Sequence, residues 1–228
     1  MDTSAQLLLT LGGILLLGLV TSTIGRRTAL PRVTMLLLFG MLIGEQGLDL
    51  IDNMAAFGAP VVLFSGGEPL MRPDLVELAN YAVSKGMRAV ISTNGTLISK
   101  DKAKELKEVG LSYVGVSLDG MEEVNDRFRG KKGAFKDAMA GIMNCQEVGL
   151  KVGLRFTINR MNTAEVPLIF DLLEEYQIPR ACFYHLVYAG RGSNLIDEDL
   201  DHEETRTVVD LIIDRTKDLH DRGMAKEV

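Results

Sequence analysis

From residue 51 onward, short runs of aliphatic and β-branched residues alternate with longer segments in which apolar positions recur every three to four residues. The first pattern fits strands buried on both faces, and the second fits amphipathic helices with one face on a core. Strands are expected at residues 61–64, 89–92, 113–117, 152–157 and 181–186. The spacing between them leaves room for a crossover helix after each strand, which makes the sheet parallel. Leu75, Leu78, Ala79, Ala82 and Val83 line one face of the first such helix, with Pro73 and Asp74 as its start signal. Phe135, Ala138, Met139 and Ile142 form a second stripe, and Val166, Ile169, Phe170 and Leu173 a third. A last helix over 202–222 places Val208, Val209, Ile212 and Thr216 on one side, and no strand is expected after it. Gly86, Gly110 and Gly149 fall between a helix and the next strand, where a left-handed residue ends the helix. Glu122, Glu123, Lys131 and Lys132 read as an exposed loop.

The first 50 residues follow a different pattern. Residues 7–24 form a run of 18 without a charge, close to the length of a membrane-spanning helix. Arg26, Arg27, Pro31 and Arg32 interrupt it, and 33–44 form a second, shorter apolar stretch. The expectation is a helical hairpin over 1–50 with membrane contact through about residues 7–43, either as two spans or as one span and a re-entrant piece. A secretory signal is disfavoured, because Asp2 is the one charge ahead of the apolar run. The three arginines favour a cytoplasmic loop between the segments. A single span therefore leaves the remainder in the cytoplasm, whereas two spans place it outside.

Charge and cysteine content narrow the function classes. The three acidic and three basic residues of the first 50 cancel, so the whole net charge of -6 lies downstream. That balance argues against nonspecific nucleic-acid binding, which needs clustered cations. Cys145 and Cys182 are the two cysteines of the chain, and they fall on a helix and a strand of an α/β pattern, as buried thiols rather than a disulfide pair.

In a barrel of parallel strands the carboxyl ends of the strands carry the active site. Here those ends read Ser65-Gly66-Gly67-Glu68-Pro69, Ser92-Thr93-Asn94-Gly95 and Ser117-Leu118-Asp119-Gly120; Arg155 lies in the fourth strand, and His185, Tyr188, Gly190 and Arg191 follow the fifth. Glycine and short polar residues let backbone approach a ligand closely, and Glu68 is a candidate acceptor for an ammonium group. Arg129 and Arg155 are candidate partners for a carboxylate. His185 is either structural or turned to a substrate.

This ordered set of strand ends resembles the radical S-adenosylmethionine (SAM) superfamily, and the run from Leu63 to Arg72 resembles members with an additional carboxy-terminal cluster domain. Phe128-Arg129-Gly130 and the stretch from Tyr184 to Gly192 are most similar to enzymes that modify tetrapyrrole side chains on the way to haem or haem d1. The resemblance implies that Gly66, Gly67 and Glu68, followed by Pro69, hold the methionyl amine of SAM. It implies further that Ser117 and Arg129 meet the ribose and carboxylate, supported by Asn94 and Arg155. It also implies a 4Fe-4S cluster on a CxxxCxxC loop ahead of the Gly-Gly-Glu-Pro turn. No cysteine precedes Cys145, and two thiols cannot supply three cluster ligands.

The expected fold is thus α/β: a partial (β/α)6 barrel over 51–228, lacking its first strand and preceded by one or two hydrophobic helices. Residues 1–50, in particular 24–33 and 38–44, resemble the first two helices of monovalent cation:proton antiporters, whose ion-binding residues lie in later helices. Three functions follow as expectations. The first is a truncated radical SAM domain for a tetrapyrrole substrate, joined to foreign sequence near Leu50-Ile51-Asp52 and inactive alone. The second is a membrane-tethered module that binds SAM or a tetrapyrrole without redox chemistry. The third is an antiporter fragment.

Overall fold

The computed structural model describes residues 46–188 and 190–228. The chain divides into two compact units, 1–53 and 54–228, and the second contains every strand described below. The two apolar segments at 7–24 and 33–44 lie outside the described residues. Among the described residues no helix is long and apolar enough to cross a membrane. A helix α1 (Gln46–Ala56) runs without a break through the expected junction at 50–52.

Five parallel strands form one sheet in the order β1 (Val61–Phe64), β2 (Arg88–Thr93), β3 (Tyr113–Ser117), β4 (Val152–Thr157) and β5 (Ala181–Tyr184). Spatial order equals chain order, so each strand lies beside the one before it. A doubly wound sheet reverses its order at a switch point, whereas a succession of this kind is that of a (β/α) barrel. Every carboxyl end therefore falls on one edge. Helices α2 (Leu75–Ser84), α3 (Lys100–Glu108), α4 (Glu122–Arg129), α5 (Ala134–Glu147), α6 (Val166–Glu175) and α7 (His202–Asp221) complete the unit.

The core lies between sheet and helices. Ile91, Val114, Val116, Leu154 and Phe156 from the strands meet Ala138, Ile142, Ile169, Phe170 and Leu173 from the helix stripes, all buried. Phe183 stacks on Phe170 at 5.6 Å and meets Phe156 at 5.7 Å, an aromatic cluster under β4 and β5. Truncating the fully buried Phe156 to alanine costs about 3–5 kcal/mol at such sites.

Two expectations are corrected. Glu122 and Glu123 begin α4 rather than forming a loop. The helix carries few apolar residues, and Gly130 at φ +64° closes it. β5 stops at Tyr184, two residues early, because the chain turns away toward the 3-10 segment Gly190–Glu198. Among the described residues no strand follows α7, as expected; the chain end makes a single parallel bridge beside β5, where the N–H of Ala181 donates to the Glu227 carbonyl and that of Glu227 to the Pro179 carbonyl, each at 2.9 Å.

Candidate functional site

The turn after β1 is built around one carboxylate. Glu68 caps the 3-10 segment Pro69–Met71 by accepting the Leu70 N–H at 3.1 Å, and buried Pro69 opens that segment. The same carboxylate accepts the Thr93 hydroxyl at 2.6 Å and the Asn94 N–H at 2.8 Å. The Gly95 N–H donates in turn to Thr93 Oγ1 at 3.0 Å. The end of β1 is thereby tied to the end of β2. The Glu68 side chain holds the turn, and three protein donors take most of the roughly four lone-pair sites that a carboxylate offers.

What the turn presents is backbone. Gly66 sits at φ +134°, a conformation other residues rarely adopt, and a Cβ placed on Gly66 or Gly67 meets no atom within 4 Å. Both border a cavity of about 280 Å³ with Ser65, Ser92, Thr93, Asn94, Thr96, Ser117, Asn125, Arg129 and Lys131 on its walls. Asn94 turns its side-chain oxygen onto Thr96, accepting the N–H and the hydroxyl at 2.9 Å each. Helix α5 closes in behind: a Cβ on its Gly141 would overlap the Gly95 carbonyl oxygen.

Arg129 ends α4 and borders this cavity and a larger, adjoining one of about 790 Å³. Its Nε lies 2.6 Å from Oδ2 of buried Asp119, an ion pair whose atoms are not aligned as a hydrogen bond. Ser92 and Ser117 border both cavities as well. The larger one adds Arg127, Arg155, Tyr184, His185, Leu186 and Val187. Arg155 is the register partner of Ser117, lays its stem against Gly115, and stacks its guanidinium on Tyr184 at 4.6 Å. Burial pushes the Tyr184 phenol up, while the Arg155 charge pulls against it.

The sequence-derived residues thus divide. Gly66, Gly67, Asn94, Ser117 and Arg129 share the small cavity; Arg155 faces the large one with Ser117 and Arg129; Glu68 and Pro69 stand behind the turn. Asn125 and Asn162, which hold Asp119, escaped the sequence reading. A polar residue in a charged helix and another in a loop carry no periodic signal, and their partners lie far along the chain.

An ordered parallel sheet with an open two-glycine cradle at its carboxyl edge defines the class, and the superfamily's sequence profile matches residues 40–173: the chain belongs to the radical SAM superfamily. Its relatives include synthases named for haem-type tetrapyrroles. It is 67% identical over 184 residues to the Fe-coproporphyrin III synthase of Methanosarcina barkeri, covering 81% of this chain and 46% of the relative. It is 42% identical over 176 residues to the pre-heme d1 synthase of Dinoroseobacter shibae, covering 77% and 44%. The chain therefore spans about half the length of these curated relatives. Solved structures share the fold at low identity. They include anSMEcpe with bound AdoMet (TM-score 0.66, 16% identity, 81% of this chain and 53% of that one) and Streptococcus suis SuiB bound to S-adenosylmethionine (0.65, 19%, 77% and 40%). The antiporter resemblance of residues 1–50 gains no support from these comparisons.

Members of the superfamily bind SAM and a 4Fe-4S cluster. The residues here fit the first group: glycine backbone open to a cavity, with a cation and hydroxyls on its walls. They do not fit the second. Cys145 is buried on α5, where burial pushes its thiol up to about 11, and Cys182 lies half-buried on β5. Among the described residues no three His, Cys, Asp or Glu side chains gather to hold a metal ion.

Proposed function

We propose that residues 51–228 are the SAM-binding part of a haem-synthase-type radical SAM enzyme, a partial (β/α)6 barrel that takes SAM in the small cavity and a carboxylated tetrapyrrole in the large one. The observation that carries this reading is the open Gly66–Gly67 backbone, fixed by Glu68 to Thr93 and Asn94 and facing Arg129 across a cavity. Carbonyl oxygens of the turn receive the methionyl ammonium, Arg129 receives the carboxylate, and Ser117 meets the ribose. The neighbouring cavity offers Arg127 and Arg155 to propionate groups and Tyr184, Leu186 and Val187 to an apolar ring. The relatives' names supply the tetrapyrrole class.

Bound SAM supplies the family's radical chemistry only together with a reduced cluster. With two cysteines on separate elements this chain holds no such cluster by itself, so its own contribution is binding and orientation. The test is isothermal titration of the full chain with SAM and absorbance titration with ferric coproporphyrin. Saturable binding of both, each leaving the other's affinity within a few-fold, is the expected result; absence of SAM binding overturns the reading.

A further inference from the structure

Asp119 stands apart among the polar groups at the sheet edge, because it is buried and held by its backbone from two sides. Its N–H donates to the Asn125 side-chain oxygen at 3.0 Å, and its carbonyl accepts from the Asn162 amide at 3.2 Å. Asn125 and Asn162 are both almost fully buried. Asn162 is itself fixed, donating to the Thr157 carbonyl at 2.9 Å and accepting the Asn159 N–H at 2.8 Å. One residue beyond Gly120, the Met121 N–H donates to Glu165 at 2.7 Å. The ends of β3 and β4 and the start of α4 are thus locked to one another, and the element so locked carries the Asp119 carboxylate toward Arg129. Because Asp119 meets the guanidinium at Nε, the two terminal amino groups of Arg129 keep donors for the cavities it borders.

We infer that Asp119 is a positioning residue for the cofactor carboxylate: its charge, 2.6 Å from Nε, holds the Arg129 guanidinium at the cavity wall so that the terminal donors face the SAM carboxylate. The inference rests on the SAM-binding reading of the small cavity. It has a competitor with the opposite sign. Asp119 also cancels part of the Arg129 charge, so if charge alone mattered, removing it would tighten binding of an anion. A freely rotating arginine loses the preorganised fork that makes carboxylate recognition strong.

The experiment titrates the full chain and its variants with SAM and with decarboxylated SAM, which keeps the amine, sulfonium and adenosine but lacks the carboxylate. Asp119→Asn is expected to weaken SAM about tenfold and decarboxylated SAM less than twofold. Asp119→Glu keeps the charge and shifts it by one methylene; it is expected to weaken SAM several-fold with the same ligand selectivity, and it decides the matter should Asp119→Asn fail to fold. In an Arg129→Ala background, Asp119→Asn is expected to change nothing further. Equal losses for both ligands, tighter SAM binding in Asp119→Asn, or an unchanged Asp119→Glu each overturn the positioning role while leaving SAM binding intact. A parent chain that binds decarboxylated SAM as tightly as SAM, or binds neither, removes the SAM reading and this inference together.

Discussion

The carboxyl edge of the sheet is built in two manners. Over β1 to β3 the cavity wall is glycine, serine, threonine and asparagine, and its polar atoms are largely committed to one another: Glu68 to Thr93, Asn94 and Leu70, and Asn94 to Thr96. Over β4 and β5 the wall is Arg155, Tyr184, His185 and apolar side chains, held by stacking rather than by a closed set of hydrogen bonds. On the proposed reading, the first region offers fixed backbone to a small ligand that is always the same. The second offers long side chains that can follow the outline of a larger one. Arg129 and Ser117 border both, so what binds in one cavity is in position to touch what binds in the other.

Glu68→Gln makes the sharpest cut through that contrast. A carboxylate satisfies the Leu70, Thr93 and Asn94 donors at once. An amide turns one of its ends into a donor and leaves at least one of them unmatched, at about 1–3 kcal/mol. The expected outcome is a lower urea midpoint and SAM affinity reduced tenfold or more, with ferric coproporphyrin binding changed less than twofold. Equal loss of both ligands would show that the two regions do not act separately.

Arg155→Met probes the other side with a smaller effect. The Met chain still covers Gly115 but removes the charge above Tyr184. Coproporphyrin binding is expected to weaken about tenfold, equivalent to about 1.4 kcal/mol. SAM affinity and the unfolding midpoint should stay close to those of the parent, since Arg155 borders the large cavity and not the small one. A SAM loss as large as the porphyrin loss would place Arg155 in the cofactor site instead.

Most of the scaffold was legible because each strand is a short β-rich run bounded by turn residues, and Gly86, Gly110 and Gly149 all take positive φ between helix and strand as anticipated. β1, β3 and β4 fall on the expected residues, while β2 extends by one residue at each end. Helix α4 escaped because its sequence is mostly charged and its stability comes from contacts rather than an apolar stripe; buried Asn125 anchors it to Asp119. The strand-end motifs named the neighbourhood of the site but not its wiring. Glu68 and Thr93 are 25 residues apart, and Asn162 and Asp119 are 43 apart. Which carboxylate faces a ligand and which holds a turn is decided by such long-range partners, which local pattern does not contain.

The smallest expected effect concerns what stands behind the rigid region. Cys145 lies on α5, the helix whose Gly141 presses on the loop after β2, and burial raises its thiol from an ordinary value near 9 to about 11. The folded state therefore disfavours the thiolate more than the unfolded chain does. The sign follows directly: the contribution is fully present below the unfolded value and is lost as pH rises toward the folded one. From pH 8 to pH 10 the stability lost through this thiol comes to about 1 kcal/mol. Tyr113, whose phenol burial raises to about 12, loses its contribution at higher pH, so most of the early slope belongs to Cys145. Urea unfolding of the parent and of Cys145→Ala at pH 8, 9 and 10 isolates it: the alanine variant is less stable throughout, but the gap between the two should close by about 1 kcal/mol toward pH 10. A gap constant with pH would mean that the thiol reaches solvent in the folded chain and that the packing behind the small cavity is looser than the closed hydrogen bonds in front of it require.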